Sequence, residues 1–520
     1  MRAPVTQTPA SETDDPGLRM KSTRGRWVVA ATVLGSGIAA LDATVVGIAL
    51  PAIGRDFHTG VSSVQWVVDA YTLTLAGLLL LGGTLGDSYG RRKIFSIGVV
   101  WFALASLLCG VAPNVQVLIA ARALQGVGGA LLTPGSLAIL QASFDEDDRA
   151  AAIGAWSGLG GLATAIGPFL GGYLIGAVSW RLVFFINLPL AVVVLAITAR
   201  HVPETKAPGP VPRLDINGAA CISGALAGIT YGLIAASSYG WGSVPVLVPL
   251  GVGVALLALF IWVEDTEPQP MLPLGIFKSR QFSAANAETF VVYAALGGLL
   301  FLLPTVLQVV SGYTPLAAGA SLLPVTFIML ALSSRSGRLA SRIGPRLQMS
   351  VGPLVIAASF LLFTRIGGSG SYFSEVLPGV VVFGFGVAIM VAPLTATALA
   401  AAPADHAGVA SAVNNDVARA AGLIAVAVLP ALAGITGNSY LHPVLLAHGF
   451  RMAAVIAAVF CAAGGVLAAL TIRNPSRAAA AASSPSGSYC ALDAPPLRSS
   501  RTPNLETVPV TIPPDQEGPS

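Results

Sequence analysis

Gly83-Thr84-Leu85-Gly86-Asp87-Ser88-Tyr89-Gly90-Arg91-Arg92-Lys93 packs one acid, three bases and three glycines into eleven residues, between two long apolar runs. A degraded copy, Gly337-Arg338-Leu339-Ala340-Ser341-Arg342-Ile343-Gly344-Pro345-Arg346, follows 254 residues later, again between apolar runs. Only 10% of the 520 residues are charged, against roughly a quarter in soluble globular proteins, so charge gathered at two matched places carries information. Glycines let two helix ends meet in a tight turn. Asp87 near the end of one run, with Arg91 and Arg92 opening the next, can form a latch of charge and helix dipole. A basic loop that only sets membrane topology is the other reading.

The runs on either side decide the fold class. The chain is 54% hydrophobic with a mean hydropathy of +0.77, and its apolar stretches reach the roughly 20 residues that cross a bilayer as a helix. They do not alternate as barrel strands do. The chain therefore reads as an all-α polytopic membrane protein with fourteen spans. Six lie near 28–52, 64–84, 94–112, 117–141, 150–175 and 182–199. Two follow near 216–236 and 245–263, and six more near 284–310, 317–335, 347–366, 375–399, 408–436 and 448–472. With a cytoplasmic N-terminus, 22 of the 28 Lys and Arg fall on the cytoplasmic side, the bias that orients membrane proteins. Both termini are then cytoplasmic. Residues 1–26 form a polar arm rather than a cleaved signal. The Ala-, Ser- and Pro-rich tail 474–520 has the composition of a disordered segment.

The two glycine stretches belong to a longer repeat. Asp148-Arg149-Ala150-Ala151-Ala152-Ile153-Gly154 is echoed by Asp405-His406-Ala407-Gly408-Val409-Ala410-Ser411, and Gly126-Val127-Gly128 by Gly384-Phe385-Gly386. The expected organisation is two six-helix halves, 27–200 and 282–473, with two inserted helices in 214–265. Parallel halves of this kind are a transporter plan.

Several polar residues stand inside the spans, where ionisable groups mark function or a buried partner. Asp42 falls near the middle of the first span. Asp69 in the second lies about 9 Å below the outer surface at 1.5 Å per residue, near Gln65, Trp66 and Tyr71. Either acid can carry a proton; Asp42 can equally be the structural partner of a buried base such as Arg122 in the fourth span. Arg122 opens a glycine-rich run, Arg122-Ala123-Leu124-Gln125-Gly126-Val127-Gly128-Gly129-Ala130, suited to close helix packing. In the fifth span Gly167, Pro168, Gly171 and Gly172 make a small-residue face around a proline bend. Glu288 lies early in the ninth span, where it lines a cavity or reaches the cytoplasmic surface. Asp416 and Arg419, i and i+3, can pair on one helix face. Asp69, Tyr71, Glu288, Tyr293 and Gln308 are candidates to line a substrate cavity.

These stretches together resemble the major facilitator superfamily. Gly83, Leu85, Asp87, Gly90, Arg91 and Arg92 match its signature loop, with Ser88 where a base is usual; the second copy has Ser341 in place of the acid. The Arg122 run resembles the fourth-span signature, and the resemblance gives Arg122 a part in proton coupling. Ala163 through Gly172 resembles the antiporter signature of drug exporters. Leu41-Asp42 through Pro51, Gln65-Trp66, Trp180 through Pro189, Leu303-Pro304, Gln308, Gly312 through Pro315 and Gly408 through Asn415 resemble the fourteen-helix drug:proton antiporters of the EmrB/QacA type. The resemblance covers about residues 27–472. It implies a major facilitator fold, proton coupling through Asp42, Asp69 and Arg122, and a gating role for the Gly83, Asp87, Gly90, Arg91 and Arg92 positions. It also implies an antiporter role for Gly167, Pro168, Gly171 and Gly172.

The expected function is proton-coupled export of small amphipathic drugs or antibiotics across the cell membrane by alternating access. A dedicated exporter or proton-linked importer of an endogenous metabolite is the alternative, and a non-transporting membrane sensor a remoter one. No cofactor is expected: no Walker phosphate loop is present, and His58, His201, His406, His442 and His448 lack ligand spacing, which speaks against an enzyme or metal site. Cys109, Cys221, Cys461 and Cys490 show no paired spacing. The expected partners are a small-molecule substrate, protons and the lipid bilayer, with no nucleic acid, and the chain is read as a monomer.

Overall fold

A computed structural model describes residues 18–206, 214–268, 270–368, 370–401 and 407–474. The expected disordered tail beyond Asn474, most of the N-terminal arm, and Asp405 and His406 of the second repeat lie outside the described residues. Fourteen helices among the described residues are long and apolar enough to cross a membrane. They are α1 (Thr23–Asp56), α2 (Val61–Tyr89), α3 (Arg91–Gly110), α4 (Val115–Ser143), α5 (Asp147–Ala177), α6 (Leu182–His201), α7 (Ile216–Tyr239) and α8 (Val244–Thr266). After a short 3-10 turn come α9 (Arg280–Val309), α10 (Pro315–Ile343), α11 (Pro345–Phe363), α12 (Tyr372–Ala400), α13 (Val409–Leu432) and α14 (Pro443–Thr471). Large apolar side chains such as Leu104, Val192, Val248, Trp262, Leu330 and Phe460 remain exposed. Lipid covers such surfaces as readily as protein does.

The helices outrun the apolar runs because polar residues cap them. The Ser22 side chain accepts from Gly25 N–H at the start of α1, and Asn114 accepts from Val117 N–H at the start of α4, each satisfying a free amide of a first turn. The described end of the N-terminal arm is pinned to the α4–α5 turn. Leu18 N–H donates to Ser143 O (2.8 Å) and Met20 N–H to the Asp148 carboxylate (2.8 Å).

The repeat read from sequence is a repeat of packing. In the first half α1 packs on α5 and α6, and α4 on α2 and α3. In the second, α9 packs on α13 and α14, and α12 on α10 and α11. The inserted pair α7 and α8 pack on each other, with Gly228 and Gly253 in backbone contact, and α7 lies against α2 and α13.

The eleven opening residues are not a loop. Helix α2 continues through Asp87 to Tyr89, Gly90 alone turns the chain at φ +116°, and α3 begins at Arg91. Its copy does the same: α10 runs to Ile343, Gly344 turns at φ +87°, and α11 begins at Pro345. Glycine is needed at both positions, since L side chains rarely take such φ values. Each turn is held by a residue three places past the last helix of its own half. Glu204 accepts from Arg92 N–H (3.0 Å) and Lys93 N–H (3.2 Å). Asn474 accepts from Arg346 N–H (3.1 Å) and donates to Ile343 O (3.3 Å). A Cβ on Gly90 would lie 2.7 Å from Glu204 Oε1, and one on Gly344 2.2 Å from Asn474 Cγ.

Candidate functional site

Asp42, fully buried on α1, is the centre of a polar network inside the first half. Arg122 on α4 donates from Nη1 to Asp42 Oδ2 and to Gln125 Oε1 (2.7 Å), and from Nε to Val67 O (3.0 Å). Gln125 Nε2 (2.9 Å) and Asn187 Nδ2 (3.0 Å) both donate to Asp42 Oδ1. Asn187 also donates to Ser106 Oγ (3.0 Å), which donates to Phe184 O (2.9 Å). Asn187 reaches Asp42 from the irregular start of α6, where Leu182–Phe185 gives way to Asn187–His201. Asp42 and Arg122, read from sequence as proton-coupling residues or structural partners, are thus ion-paired. A buried pair of this kind is tolerated only when its remaining hydrogen-bonding atoms are also met. Gln125 and Asn187 meet them, and both stood inside quoted sequence motifs without being singled out.

Tyr71 connects this network to the interior cavity. The Arg122 guanidinium lies 4.3 Å from the Tyr71 ring centroid, a cation–π distance, and Tyr71 also lines a cavity of about 580 Å³ between the halves. The walls come from Ser36–Ala43 of α1, Leu79–Asp87 of α2, Thr133–Gln141 of α4, Trp156–Gly160 of α5 and Val409–Arg419 of α13. Every one of those segments lies toward the glycine turns, so the cavity occupies that half of the bundle. Its size suits a drug-like ligand.

The opposite face is closed by bonds between the halves. Val61 N–H donates to Gly437 O (2.8 Å), and Tyr440 Oη to Thr59 O (2.9 Å). Burial pushes the Tyr440 hydroxyl up to about 12, which keeps it a donor at any physiological pH. Gln308 on α9 donates to Ile48 O on α1 (3.0 Å). Gln65 on α2 donates to Val426 O (2.6 Å) and Ala427 O (3.0 Å) on α13. Pro430, four residues beyond Val426, has no N–H for that carbonyl, so Gln65 takes the place of the missing helix bond.

The antiporter-like residues lie in a second seam on this face, between α5 and α10. A Cβ on Gly172 would meet Pro315 O at 2.4 Å and Leu316 Cα at 2.6 Å. One on Gly319 would meet Pro168 O at 2.0 Å. Gly167 and Gly171 press instead on Thr44 and Val45 of α1.

Of the five residues expected to line a substrate cavity, Tyr71 lines the 580 Å³ cavity and the other four are not on its walls. Gln308 is part of the closure. Asp69 is fully buried, one turn beyond Gln65, and neither of its carboxyl oxygens has a hydrogen-bond partner. Glu288 is likewise buried with both oxygens unpartnered, so it does not reach the cytoplasmic surface. Tyr293 is half-buried against the apolar core of the second half. No ion pair joins Asp416 to Arg419: Arg419 lines the 580 Å³ cavity, and Asp416 lines a separate one of about 170 Å³.

At the glycine turn Asp87 pairs with Arg91 (2.7 Å), and Arg92 lies 3.7 Å from Glu204. Gly83, on the cavity wall, passes Pro134 of α4 closely enough that a Cβ would touch it at 3.7 Å. Ser88, standing where the family carries a base, is buried.

The sequence matches the Major Facilitator Superfamily over residues 32–427. It is 37% identical over 388 residues to the multidrug resistance protein Stp of Mycobacterium tuberculosis, covering 74% of this chain and 71% of that one. It is 35% identical over 430 residues to the tetracenomycin C resistance and export protein of Streptomyces glaucescens, covering 82% and 78%. Among solved structures, the human organic anion transporter MFSD10 superposes with a TM-score of 0.57 at 16% identity, over 86% of this chain and all of that one, and shows the shared fold. Fourteen membrane-length helices in two matched halves, a cavity between them and these matches lead to one conclusion: the chain is a multi-pass membrane transporter belonging to the Major Facilitator Superfamily.

Proposed function

We propose that the chain exports small amphipathic drugs or antibiotics across the cell membrane in exchange for protons, by alternating access. The observation that carries the reading is the 580 Å³ cavity, open in one half of the bundle, with Tyr71 shared between its wall and the Asp42–Arg122 pair. The resistance and export names of the relatives support the direction of transport. The basic turns and the charge bias of the loops support a cytoplasmic cavity and cytoplasmic termini. The protein works as a monomer built from 27–200 and 282–473, with 214–265 inserted.

In this reading the state described faces inward. A proton reaching Asp42 removes one charge of the ion pair, and Arg122 then loses its strongest partner while keeping Gln125 and Val67 O. That change reaches the cavity through the Tyr71 ring. Asp69 is the second carrier. Its carboxyl is buried at the α2–α13 seam, and opening that seam to outside water would let it exchange a proton. Asp87, Arg91, Arg92, Gly83 and Gly90 gate the cytoplasmic face. Gly167, Pro168, Gly171 and Gly172 let the outer face close.

Everted vesicles energised with a proton gradient test the reading. The wild type should accumulate dyes or antibiotics from a panel, and Asp42→Asn should lower that uptake by at least about a hundredfold, as expected when a buried pair loses its charge. Normal pumping by the variant would sink the proton-site assignment.

A further inference from the structure

Arg419 is the unspent charge of the cavity. Two charged side chains line the 580 Å³ space, Asp87 and Arg419. Asp87 is committed to Arg91 at 2.7 Å. Arg419 makes no hydrogen bond and no ion pair among the described residues, and its Nε is buried without a partner. It sits ten residues into α13 from Val409, about 15 Å along the axis at 1.5 Å per residue, too deep for the side chain to reach water at the membrane surface. Of the nearby acids one is engaged, and the other, Asp416, interacts with the Arg419 charge along α13 without forming an ion pair. Asp42 is taken by Arg122, Gln125 and Asn187. Asp416, a turn away, opens into the smaller cavity with Phe260 and Phe277. Ser411 and Asn415 precede Arg419 at four-residue intervals on the same wall, so one face of α13 presents hydroxyl, amide and guanidinium in line. Opposite stand Ala39, Ala43, Leu137, Ala138 and the indole of Trp156, whose N–H is already bonded to Ser36 Oγ at 2.8 Å.

The Arg419 guanidinium lines the cavity with no hydrogen bond or ion pair among the described residues, and a planar anion is its best-matched partner. We propose that Arg419 binds an acidic group of the substrate, so the chain selects amphipathic aromatic or polycyclic anions carrying a carboxylate or phenolate. The proposal rests on the export reading and narrows it. The α13 wall holds the acidic end through Arg419, Asn415 and Ser411, and the α1–α4–α5 wall holds the apolar body. Cations of the same size meet no unpaired carboxylate on these walls: Asp69, Glu288 and Asp416 all lie outside this chamber.

Two xanthene dyes of similar shape and opposite charge, fluorescein and rhodamine 6G, test it on the purified full chain in lipid nanodiscs by fluorescence anisotropy. The wild type should bind fluorescein about tenfold or more tightly than rhodamine 6G, the size of one charge-assisted hydrogen-bonded contact. Arg419→Gln should erase that preference without changing rhodamine 6G binding, and Arg419→Lys should keep part of it. A wild type with no preference for the anion, or an Arg419→Gln variant that retains the preference, overturns the proposal. Proton-driven uptake of both dyes in everted vesicles separates the two readings. Uptake of rhodamine 6G alone overturns the anion assignment and leaves export standing. Arg419-dependent binding of fluorescein without proton-driven uptake leaves the assignment standing and overturns export.

Discussion

The two halves meet along two seams that the internal repeat makes equivalent, α5–α10 and α2–α13, and the seams are built from different materials. At α5–α10 backbone lies on backbone: Gly172 against Pro315 and Leu316, Gly319 against Pro168. Among the described residues no further helix is seen packing over it, and Phe169 and Tyr173 on α5 stay exposed. At α2–α13 side chains do the joining, with Gln65 on two carbonyls and Asp69 buried one turn away, and α7 packs over the outside. The contrast explains where the inserted pair sits. A seam that parts to expose a buried carboxyl cannot face lipid, where an unsatisfied polar group is costly. A seam of glycines and apolar rings can. In the proposed export cycle the plain seam would slide and the covered one would carry the ionisable chemistry.

The largest effect should come from filling the plain seam. Gly172→Val puts a branched side chain where even a Cβ would lie only 2.4 Å from the Pro315 carbonyl oxygen. Overpacking of this kind costs about 1–3 kcal/mol, roughly a tenfold to hundredfold shift away from the closed outer face. Vesicle efflux should fall by about that factor. A cysteine at the outer mouth, Ser439→Cys, should become more reactive to an impermeant maleimide in the same variant. Undiminished efflux in Gly172→Val would remove the reason for treating α5–α10 as a surface that must close tightly.

A smaller effect is expected at the covered seam. Gln65→Leu removes both donors and leaves the Val426 carbonyl with neither its helix partner nor a substitute, since Pro430 supplies no N–H. Side-chain hydrogen bonds between membrane helices are worth about 0.6–1.7 kcal/mol, so a loss of efflux of about threefold to twentyfold is expected. The same outer-mouth cysteine should report a matching rise in accessibility. A loss larger than that of Gly172→Val would reverse the ranking and make the polar seam the principal closure.

Much of this was legible in the chain and some was not, for identifiable reasons. Span count, the repeat and the exceptional residues follow from local composition, because a buried Arg122 or Asp42 stands out in an apolar run. The loop expected at Gly83–Lys93 is largely helix: Asp87 and Ser88 lower the local hydropathy without breaking backbone bonds, and only Gly90 turns. The Asp42 cradle needed Gln125 and Asn187, the second 145 residues from Asp42, so helix spacing could not reveal it. Gln65 appeared as part of a motif, but its partner is 361 residues away. Asp416 and Arg419 satisfied the local i, i+3 rule and yet face two cavities, because α13 lies between the central chamber and the inserted pair. A signal that was present and unread is the echo of Glu204 in Asn474, each three residues past the end of its half.

The smallest effect separates the two glycine turns, which lie at the face away from the seams and extend the asymmetry to it. Asp87 is half-exposed and paired with Arg91 across the Gly90 turn, and exposed pairs contribute only about 0.2–1 kcal/mol. Its counterpart Ser341 is exposed and donates to Arg338 O at 2.7 Å, a bond within its own helix that holds nothing else. Asp87→Asn should therefore lower efflux about twofold in the state described, and Ser341→Ala should leave it unchanged. If Asp87 also pairs with a second site once the cytoplasmic face closes, its loss will be larger and will grow as salt is lowered, since screening weakens exposed pairs. Efflux measured for both variants at two ionic strengths decides this. A Ser341→Ala defect larger than that of Asp87→Asn would show that the second turn, not the first, carries the gate, and that the asymmetry of the seams stops at the outer face.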